Sequence, residues 1–396
     1  MDPLPLLKDL VAIPSVNPMG RDVTGPEYLE TRVTAYLVDV LTKADVAWER
    51  VETAPGRANV LARLDAESAD APTLLLDAHQ DTVPTDGMVI PPFDPVERDG
   101  KLFGRGTCDV KGGMAAMLAA FLRLCKDRPS GRPHVVLSLT CDEEATSLGI
   151  NHLVDAWLGR KPAYKLCPQK PTAAIVAEPT LLDIVVAHRG AYRWKLRTEG
   201  VACHSSRPMD GVNAIYRMGK LLGVLEEFAA WLPGSRPAHP LCGPATFSVG
   251  LIAGGSSVNV VPDGCAIDID RRVLPGEDRT GLIEEVTNFL KARTDIPFSN
   301  DPPFVNSPPL SDDLNGALAE ALMKSIVPVV GPKAKIGVPY GTHASRVALA
   351  QVPAVVFGPG DIAQAHTKDE WIEIEQLRQG AEVYYQFCAD GAERLR

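Results

Sequence analysis

The sequence predicts an α/β fold in which the chain leaves one domain, builds a smaller α+β domain and then returns. Up to about Pro179, short apolar runs alternate with stretches of helical periodicity, as in a parallel sheet covered by helices. After Thr180 the runs alternate apolar and polar residues, as half-exposed antiparallel strands do. The first pattern returns near the C-terminus, at Pro353–Phe357. We therefore predict a discontinuous α/β domain with an α+β insertion.

The first domain has the clearest elements. Continuous apolar runs predict buried parallel strands. The runs are Thr73–Ala78, His134–Leu139, Ala173–Ala177 and Pro353–Phe357. Gly112–Lys126 is apolar on most sides, which is typical of a helix packed on a sheet.

The insertion is expected to combine two alternating strand regions with two helices. The strand regions are Asp183–Thr198 and Gly264–Val273, and the helices are Val212–Ala230 and Glu277–Ala292. A proline-rich stretch at 301–309 predicts a linker back to the first domain. We place the boundaries at residues 1–181, 182–296 and 297–396.

Composition limits the classes of function. With 45% hydrophobic and 23% charged residues, the 396-residue chain is typical of a soluble globular protein of two domains. The net charge of −10 argues against nucleic acid or an anionic membrane as the main partner. No apolar run is long enough to span a membrane, and the N-terminus lacks the pattern of a signal peptide. The eight cysteines are scattered without a CxxC pair, which favours reduced thiols in a cytoplasmic protein.

Histidine and glutamate side chains follow three of the predicted strands at the point where each ends. His79 follows the first run, Glu143 and Glu144 follow the second, and Glu178 follows the third. Functional groups of an open α/β sheet collect beyond the carboxyl ends of its strands. Imidazole and carboxylate are ligands that zinc prefers, so we predict a metal site at this edge.

Each of these residues has a simpler interpretation when it is taken singly. A histidine after a strand is often structural, and a glutamate pair is often a solvated loop. Asp109 precedes two glycines and could cap a helix. Gly104–Gly106 could suggest a phosphate loop, but neither G-x-G-x-x-G nor a Walker pattern is present.

Five short segments, in order along nearly the whole chain, resemble the M20 metallopeptidase family. They are Asp77–Pro84, Gly104–Gly113, Cys141–Glu144, Ala177–Thr180 and Ala365–Thr367. That family contains acetylornithine deacetylase, succinyl-diaminopimelate desuccinylase, aminoacylase and the glutamate carboxypeptidases. The resemblance implies a zinc-peptidase-like catalytic domain with an inserted lid and dimerisation domain.

The resemblance also implies a centre of two Zn²⁺ ions, for which Co²⁺ or Mn²⁺ can substitute. Asp109 would bridge the ions. Glu144 and His366 would complete one ion, and His79 and Glu178 the other.

Two further acids would serve the chemistry of that centre. Glu143 would be the general base that activates water and then protonates the leaving amine. Asp81 would accept the free N–H of the His79 ring and fix its tautomer.

Three residues of the insertion match positions that contact substrate in the family. His204 would polarise the scissile carbonyl in a partner subunit, so a homodimer is expected. Asn259 and Arg272 would hold the substrate, with the arginine on its carboxylate. Arg272 could instead form an ordinary surface salt bridge. Its neighbour Arg271 should be the more exposed of the two, because adjacent strand residues face opposite ways.

His343 departs from the family pattern, since many relatives have an acid at this position. An acid would suit a basic substrate tail, whereas a histidine argues against one. His343 is therefore a predicted substrate contact, with a helix N-terminal residue of no substrate role as the alternative.

The function predicted is a two-zinc hydrolase that cleaves the amide of an N-acyl amino acid, of the acetylornithine deacetylase or succinyl-diaminopimelate desuccinylase type. An M20 dipeptidase or carboxypeptidase acting on small peptides shares the same metal motifs. A non-catalytic binding protein would have lost a ligand or the base, and none is missing here. A purely structural metal would need a closed four-ligand site.

Overall fold

The computed structural model describes residues 1–395 and separates them into two units. The first unit contains Met1–Val186, Asp312–Ile336 and the chain from Thr342 onwards. The second contains Ala187–Ser311 and Gly337–Gly341.

The helices are α1 (Leu4–Ala12), α2 (Thr31–Lys43), α3 (Lys111–Asp127), α4 (Leu148–Trp157), α5 (Ala214–Trp231), α6 (Leu282–Lys291), α7 (Gly316–Val330), α8 (Ala344–Ala348), α9 (Ile374–Ala389) and α10 (Gly391–Arg394). The strands are β1 (Ala47–Ala54), β2 (Arg57–Leu64), β3 (Thr73–His79), β4 (Val96–Arg98), β5 (Lys101–Phe103), β6 (His134–Thr140), β7 (Ala173–Val176), β8 (Ile184–His188), β9 (Gly190–Glu199), β10 (Thr246–Gly254), β11 (Gly264–Val273), β12 (Ser299–Asn300), β13 (Val305–Ser307), β14 (Lys335–Val338), β15 (Ala354–Val356) and β16 (Trp371–Glu373).

An eight-stranded mixed sheet organises the first unit, in the order β1-β2-β6-β3-β7-β15-β8-β14. The central strands β6, β3, β7 and β15 run parallel to one another. These are the four strands that the apolar runs predict, so the α/β prediction is confirmed. Parallel strands are covered on both faces, which explains why every residue of these four strands except Thr73 is buried.

Because the central strands are parallel, their carboxyl ends meet at one edge of the sheet. His79 ends β3, Glu143 and Glu144 follow β6, and Glu178 follows β7. His366 lies in the segment after β15. The topology therefore brings polar residues that are distant in sequence to one place.

Helix α3 packs against α1 and α9, and its first turn lies close to the loop that precedes it. A Cβ on Gly112 would lie 2.3 Å from the carbonyl oxygen of Thr107. A Cβ on Gly113 would lie 2.9 Å from the Cβ of Ala177. The two glycines let the helix begin directly after Asp109, beside the strand that precedes Glu178.

The second unit is built on a five-stranded antiparallel sheet in the order β10-β11-β9-β12, with β13 also paired with β9. Helices α5 and α6 cover it around a core that includes Trp194, Phe228 and Phe247. Strand β9 alternates buried and exposed residues as predicted, whereas every residue of β8 is buried, contrary to the expectation for Asp183–Thr198.

The proline-rich segment is not a linker. Ser299–Asn300 and Val305–Ser307 both pair with β9, so this stretch belongs to the antiparallel sheet of the second unit. Proline is tolerated between such short edge strands because it is not required to donate there. Strand β9 is therefore paired on both sides, with β11 on one side and with β12 and β13 on the other.

The expectation for Arg271 is also wrong. Its side chain is 1% exposed and pairs with Glu277, while the Arg272 side chain is about 29% exposed. Arg271 shares the inner face of β11 with Cys265, Ile267 and Ile269. The two-residue period of the strand could have revealed this, because counting from those apolar residues places position 271 inside.

Within residues 1–395, no helix combines the length and apolar character that crossing a membrane requires. All eight cysteines are free thiols, as their spacing predicted.

We expect Gly112→Ala to destabilise the protein by about 1–3 kcal/mol, because the new methyl group would overlap the Thr107 carbonyl. Gly219→Ala is the matched control, since it also lies within a helix but its Cβ would meet no atom within 4 Å. That substitution should stabilise by about 0.5–1 kcal/mol. Denaturant unfolding of both variants measures the difference, and equal effects would show that the contact at Gly112 is unimportant.

Candidate metal centre

Two groups of potential ligands meet at the carboxyl edge of the large sheet. One group is His79, Asp109 and Glu178, and the other is Asp109, Glu144 and His366. Within each group, the nitrogen and oxygen atoms lie within 4.8 Å of one another. The structure thus brings together all five residues predicted as ligands, with Asp109 common to both groups.

The two carboxylate oxygens of Asp109 face different histidines. Its Oδ1 lies 3.2 Å from Nε2 of His79, and its Oδ2 lies 3.3 Å from Nε2 of His366. The same His366 nitrogen lies 3.3 Å from Oε2 of Glu144. A carboxylate that presents one oxygen to each group has the geometry that a bridge between two ions requires.

The buried acids of this site repel one another. Burial, together with the negative charge of Asp109, raises the pKa of Glu144 to about 8. Burial also raises the pKa values of Glu143 and Glu178. The two histidines provide the opposing positive charge, and hydrogen bonds to Asp109 and Glu144 raise the pKa of His366 to about 10.

These residues fit metal ions by their chemistry. The donor set is imidazole nitrogen and carboxylate oxygen, which suits zinc and related divalent ions. Oε1 of Glu144 is buried and has no hydrogen-bond partner within residues 1–395, so it has a free acceptor beside the second group. A divalent cation would neutralise the crowded carboxylates, which protein groups compensate only in part.

The tautomer of His79 is fixed differently from our expectation. Nδ1 of the ring lies 2.9 Å from the backbone oxygen of Asp81, and 3.6 Å from its carboxylate. A carbonyl oxygen only accepts, so Nδ1 carries a hydrogen, and Nε2 is the ring atom that would bind an ion beside Asp109. Asp81 therefore contacts the His79 ring, but its backbone oxygen lies closer to Nδ1 than its carboxylate does.

The carboxylate of Asp81 instead accepts from the turn that carries the two glutamates. Its Oδ1 receives the backbone N–H of Glu143 at 3.0 Å, and its Oδ2 receives that of Glu144 at 3.2 Å. Burial opposes the ionisation of Asp81, but His79, the Asn17 amide and the Glu143 N–H together hold its pKa well below its usual range.

Glu370 is a residue that the sequence analysis missed. It is fully buried and accepts the backbone N–H groups of Gly106, Cys108 and Asp109, each at 2.9 Å. It also pairs with Arg105 at 2.7 Å. Glu370 therefore fixes the loop that presents Asp109. An acid four residues after His366 was the only signal in the sequence, and such acids are usually solvated.

His343 lies in the same unit as the candidate ligands and is 1% exposed. It immediately precedes α8, but its side chain does not cap that helix. Nδ1 instead lies 2.8 Å from the carboxylate of Asp77, and the ring lies edge-on to His79 at 6.3 Å between centroids. Nε2 is buried without a hydrogen-bond partner in the described chain. His343 therefore keeps an unused polar atom, and its contact with substrate stays a prediction.

The remaining predicted residues, His204, Asn259 and Arg272, lie in the second unit. The His204 and Asn259 segments are neighbours, because His204 bridges to Val260 and Ser205 donates its N–H to the Asn259 carbonyl. The side chains of His204 and Asn259 are exposed.

Arg272 is not brought next to them. It is the penultimate residue of β11, whereas Asn259 lies before the first residue of that strand. Arg272 lies eight positions after Gly264 along the strand, or roughly 26 Å away. Arg272 pairs with Asp270 at 2.9 Å.

Comparison with known proteins agrees with this geometry. Residues 75–390 match the family model described as peptidase family M20/M25/M40. The chain belongs to this family. An acetylornithine deacetylase of Photorhabdus laumondii is 32% identical over 377 residues, covering 93% of this chain and 92% of the relative.

Solved structures share the fold. A tripeptidase of Staphylococcus aureus has a TM-score of 0.77 at 18% identity and covers 99% of this chain and 98% of its own. The YXEP protein of Bacillus subtilis, described as a dinuclear metal-binding M20 peptidase, has a TM-score of 0.68 at 15% identity, with 99% and 98% covered. Membership of this M20 family identifies the protein as a hydrolase of amide C–N bonds.

We expect Asp109→Ala to lower metal content from about two ions per chain to fewer than one, because Asp109 belongs to both groups. Glu178→Ala should leave about one ion, since it belongs to one group only. Asp70→Ala, at an exposed aspartate, is the control and should bind as the wild type does. Metal analysis after dialysis distinguishes these cases, and equal loss in the first two variants would contradict a shared Asp109.

Proposed function

We propose that the protein is a two-zinc amidohydrolase that removes the acyl group from an N-acyl amino acid, of the acetylornithine deacetylase or succinyl-diaminopimelate desuccinylase type. The observation that supports this most is the pair of ligand groups that share Asp109. His79 and Glu178 would hold one ion, and Glu144 and His366 the other. The Photorhabdus relative supports the deacylase assignment.

Bound zinc would supply a Lewis acid for the amide carbonyl. Glu143 would act as the general base, taking a proton from the attacking water and later giving it to the leaving nitrogen. Its buried position suits both roles, because burial raises the pKa of its carboxyl above the usual range. The carboxylate of Asp81 would hold Glu143 by accepting its backbone N–H, and the backbone carbonyl of Asp81 would hold the ring of His79.

Recognition of the substrate would involve residues outside the metal groups. Asn259 and Arg272 are proposed to hold it, with Arg272 on a free carboxylate. Asp270 already occupies Arg272 at 2.9 Å, so a substrate carboxylate would have to compete with that acid. His343 would offer Nε2 to a polar group of the substrate rather than an acid to a cationic tail.

A second candidate is a peptidase that acts on small peptides. The fold of the Staphylococcus tripeptidase supports it, because a structure of that class covers nearly the whole chain. The candidate ligands would serve either reaction, since both hydrolyse an amide. The substrate therefore decides between them.

We also propose a homodimer formed through the second unit. Strand β10 is at the end of the described sheet order, so its outer edge has no partner strand within residues 1–395. Leu251 and Ile252 on that strand are 67% and 56% exposed. An exposed apolar edge strand favours pairing with another chain, and a two-fold axis would pair it with its own copy.

Glu143→Gln should abolish most turnover while the protein keeps its metal. Glutamine has a similar shape but cannot take a proton, and the loss of a general base typically costs about 10²–10⁴ in rate. Glu382→Gln, at a partly exposed glutamate on α9, is the control. Zinc-loaded proteins should be assayed on acetyl, succinyl and formyl amino acids and on dipeptides. The preferred substrate separates the deacylase from the peptidase, and near-normal kcat for Glu143→Gln with full metal content would refute its role as base.

His204 is expected to act in the partner's active site, as an oxyanion donor worth roughly 3–4 kcal/mol. The inactive variants Glu143→Gln and His204→Ala should therefore complement each other after subunit exchange. One site of each mixed dimer has both groups intact, so equal mixing should restore about a quarter of wild-type activity. Exchange confirmed by mass spectrometry without any recovery would mean that His204 does not act across the dimer.

A further inference from the structure

The turn that carries Glu143 and Glu144 is held through its backbone. Three consecutive N–H groups donate to buried carboxylates. Asp142 donates to Oε1 of Glu30 at 3.1 Å, and the next two residues donate to the two oxygens of Asp81 at 3.0 and 3.2 Å. Asp142 has a φ of 61°, which is unfavourable for a non-glycine residue and needs support from its surroundings. The position of both glutamates therefore depends on where these carboxylates lie.

Asn17 lies between two acids of this arrangement. Its Nδ2 is 2.8 Å from Oδ2 of Asp81 and 2.9 Å from Oδ1 of Asp142. An amide nitrogen carries two hydrogens, so it can donate one to each carboxylate. Its Oδ1 accepts the N–H of Met19 at 2.9 Å, which fixes the orientation of the amide. The side chain is 1% exposed, so water cannot easily replace these contacts.

The balance of charge explains why a neutral donor is needed here. Two of the three buried acids contact the cation Arg57, whose Nη1 lies 2.6 Å from Glu30 and 2.9 Å from Asp142. Within residues 1–395, no ion pair joins Arg57 to the third acid, Asp81. Asn17 therefore supplies the direct link between the carboxylate of Asp81 and that of Asp142. Buried carboxylates that lose a hydrogen-bond donor are strongly destabilised.

We propose that Asn17 is a positioning residue, which places Glu143 and Glu144 at the metal centre by holding Asp81 and Asp142 in one arrangement. Within the described chain, the hydrogen bonds of its side chain reach these acids, Met19 and Arg57, and none of them reaches a candidate ligand. The inference rests on the proposed function for the roles of the two glutamates. It deepens that function because a residue of the N-terminal segment would set the positions of the base Glu143 and of the candidate ligand Glu144.

The two metal ions should respond unequally to a change at Asn17. Glu144 belongs to the group that contains His366, whereas Glu178 follows β7 and has no part in the turn. Displacement of the turn should weaken the first ion more than the second. A general loss of stability would affect both ions alike, so this asymmetry separates positioning from a merely structural role.

The test uses the full chain with Asn17→Asp, which keeps the shape of the side chain but replaces both donated hydrogen bonds with a carboxylate that repels Asp81 and Asp142. Asn315→Asp is the matched control, because Asn315 is equally buried and bonds to backbone atoms of Val186 and Ala354. We expect kcat to fall about 10²-fold with KM changed less than threefold, as misplaced catalytic groups produce. Anomalous diffraction should show reduced metal occupancy beside Glu144 and His366 only. The control should retain wild-type values for both measurements.

Hydrogen exchange gives a readout that does not depend on activity. The amides of residues 142–144 should exchange at least about tenfold faster in Asn17→Asp than in the wild type, because local opening becomes easier. Faster exchange in a protein that hydrolyses no amide would support positioning and refute the proposed function. Unchanged exchange, occupancy and kcat in Asn17→Asp would overturn the role of Asn17.

Asn17→Ala extends the test if Asn17→Asp does not fold, and it also separates the lost hydrogen bonds from the added charge. Both variants lack the donors, so both should lose kcat, and Asn17→Asp at least as much because its carboxylate also repels Asp81 and Asp142. Near-normal kcat in Asn17→Ala would mean that only the added charge matters in Asn17→Asp, and it would overturn the proposal.

Discussion

The concentration of buried negative charge at one edge of a parallel sheet is the constraint on which the rest of this structure depends. Strands β3, β6 and β7 each deliver an acid or a histidine to that edge, and the loop before α3 adds Asp109 between them. Isolated buried carboxylates are costly, so such a group persists only with opposing charge or donors. The two histidines provide part of the positive charge that opposes these carboxylates, and bound divalent cations would provide the rest.

Buried carboxylates outside the two ligand groups hold the backbone segments that carry these acids. Two carboxylates that are not candidate ligands, Asp81 and Glu370, accept backbone N–H groups from the segments that carry Glu143, Glu144 and Asp109. Backbone donors are rigid, so the main chain of Glu143, Glu144 and Asp109 is fixed, and not only the ends of their side chains. This arrangement lets the site remain ordered although its acids repel one another, and it links the N-terminal segment and the region after His366 to a single centre.

The residues proposed for chemistry and those proposed for substrate recognition lie in different parts of the chain. The candidate ligands and Glu143 all belong to the first unit, whereas His204, Asn259 and Arg272 belong to the second. On that proposal, a shared metal centre with a variable recognition unit accounts for the resemblance of this chain to both a deacetylase and a tripeptidase. It also accounts for motifs of the metal site that identify the family without identifying the acyl group. His343 is the exception among the proposed substrate contacts, because it belongs to the first unit and joins Asp77 beside the candidate ligands.

The sequence by itself determined the parallel strands, because continuous apolar runs are a local signal, and the polar residues that follow them made His79, Glu144 and Glu178 candidate ligands. Asp109 and His366 do not end a strand and were expected only from the resemblance to the family. It did not determine contacts that depend on distant segments. Glu370 and Asn17 carry no local pattern, and only folding brings them under the loops of Asp109 and Glu143. Arg271 had a local signal in the two-residue period of β11, yet its burial depends on Glu277 providing a buried partner. The proline-rich stretch joined the sheet because β9 had an open edge there, which only the tertiary structure decided.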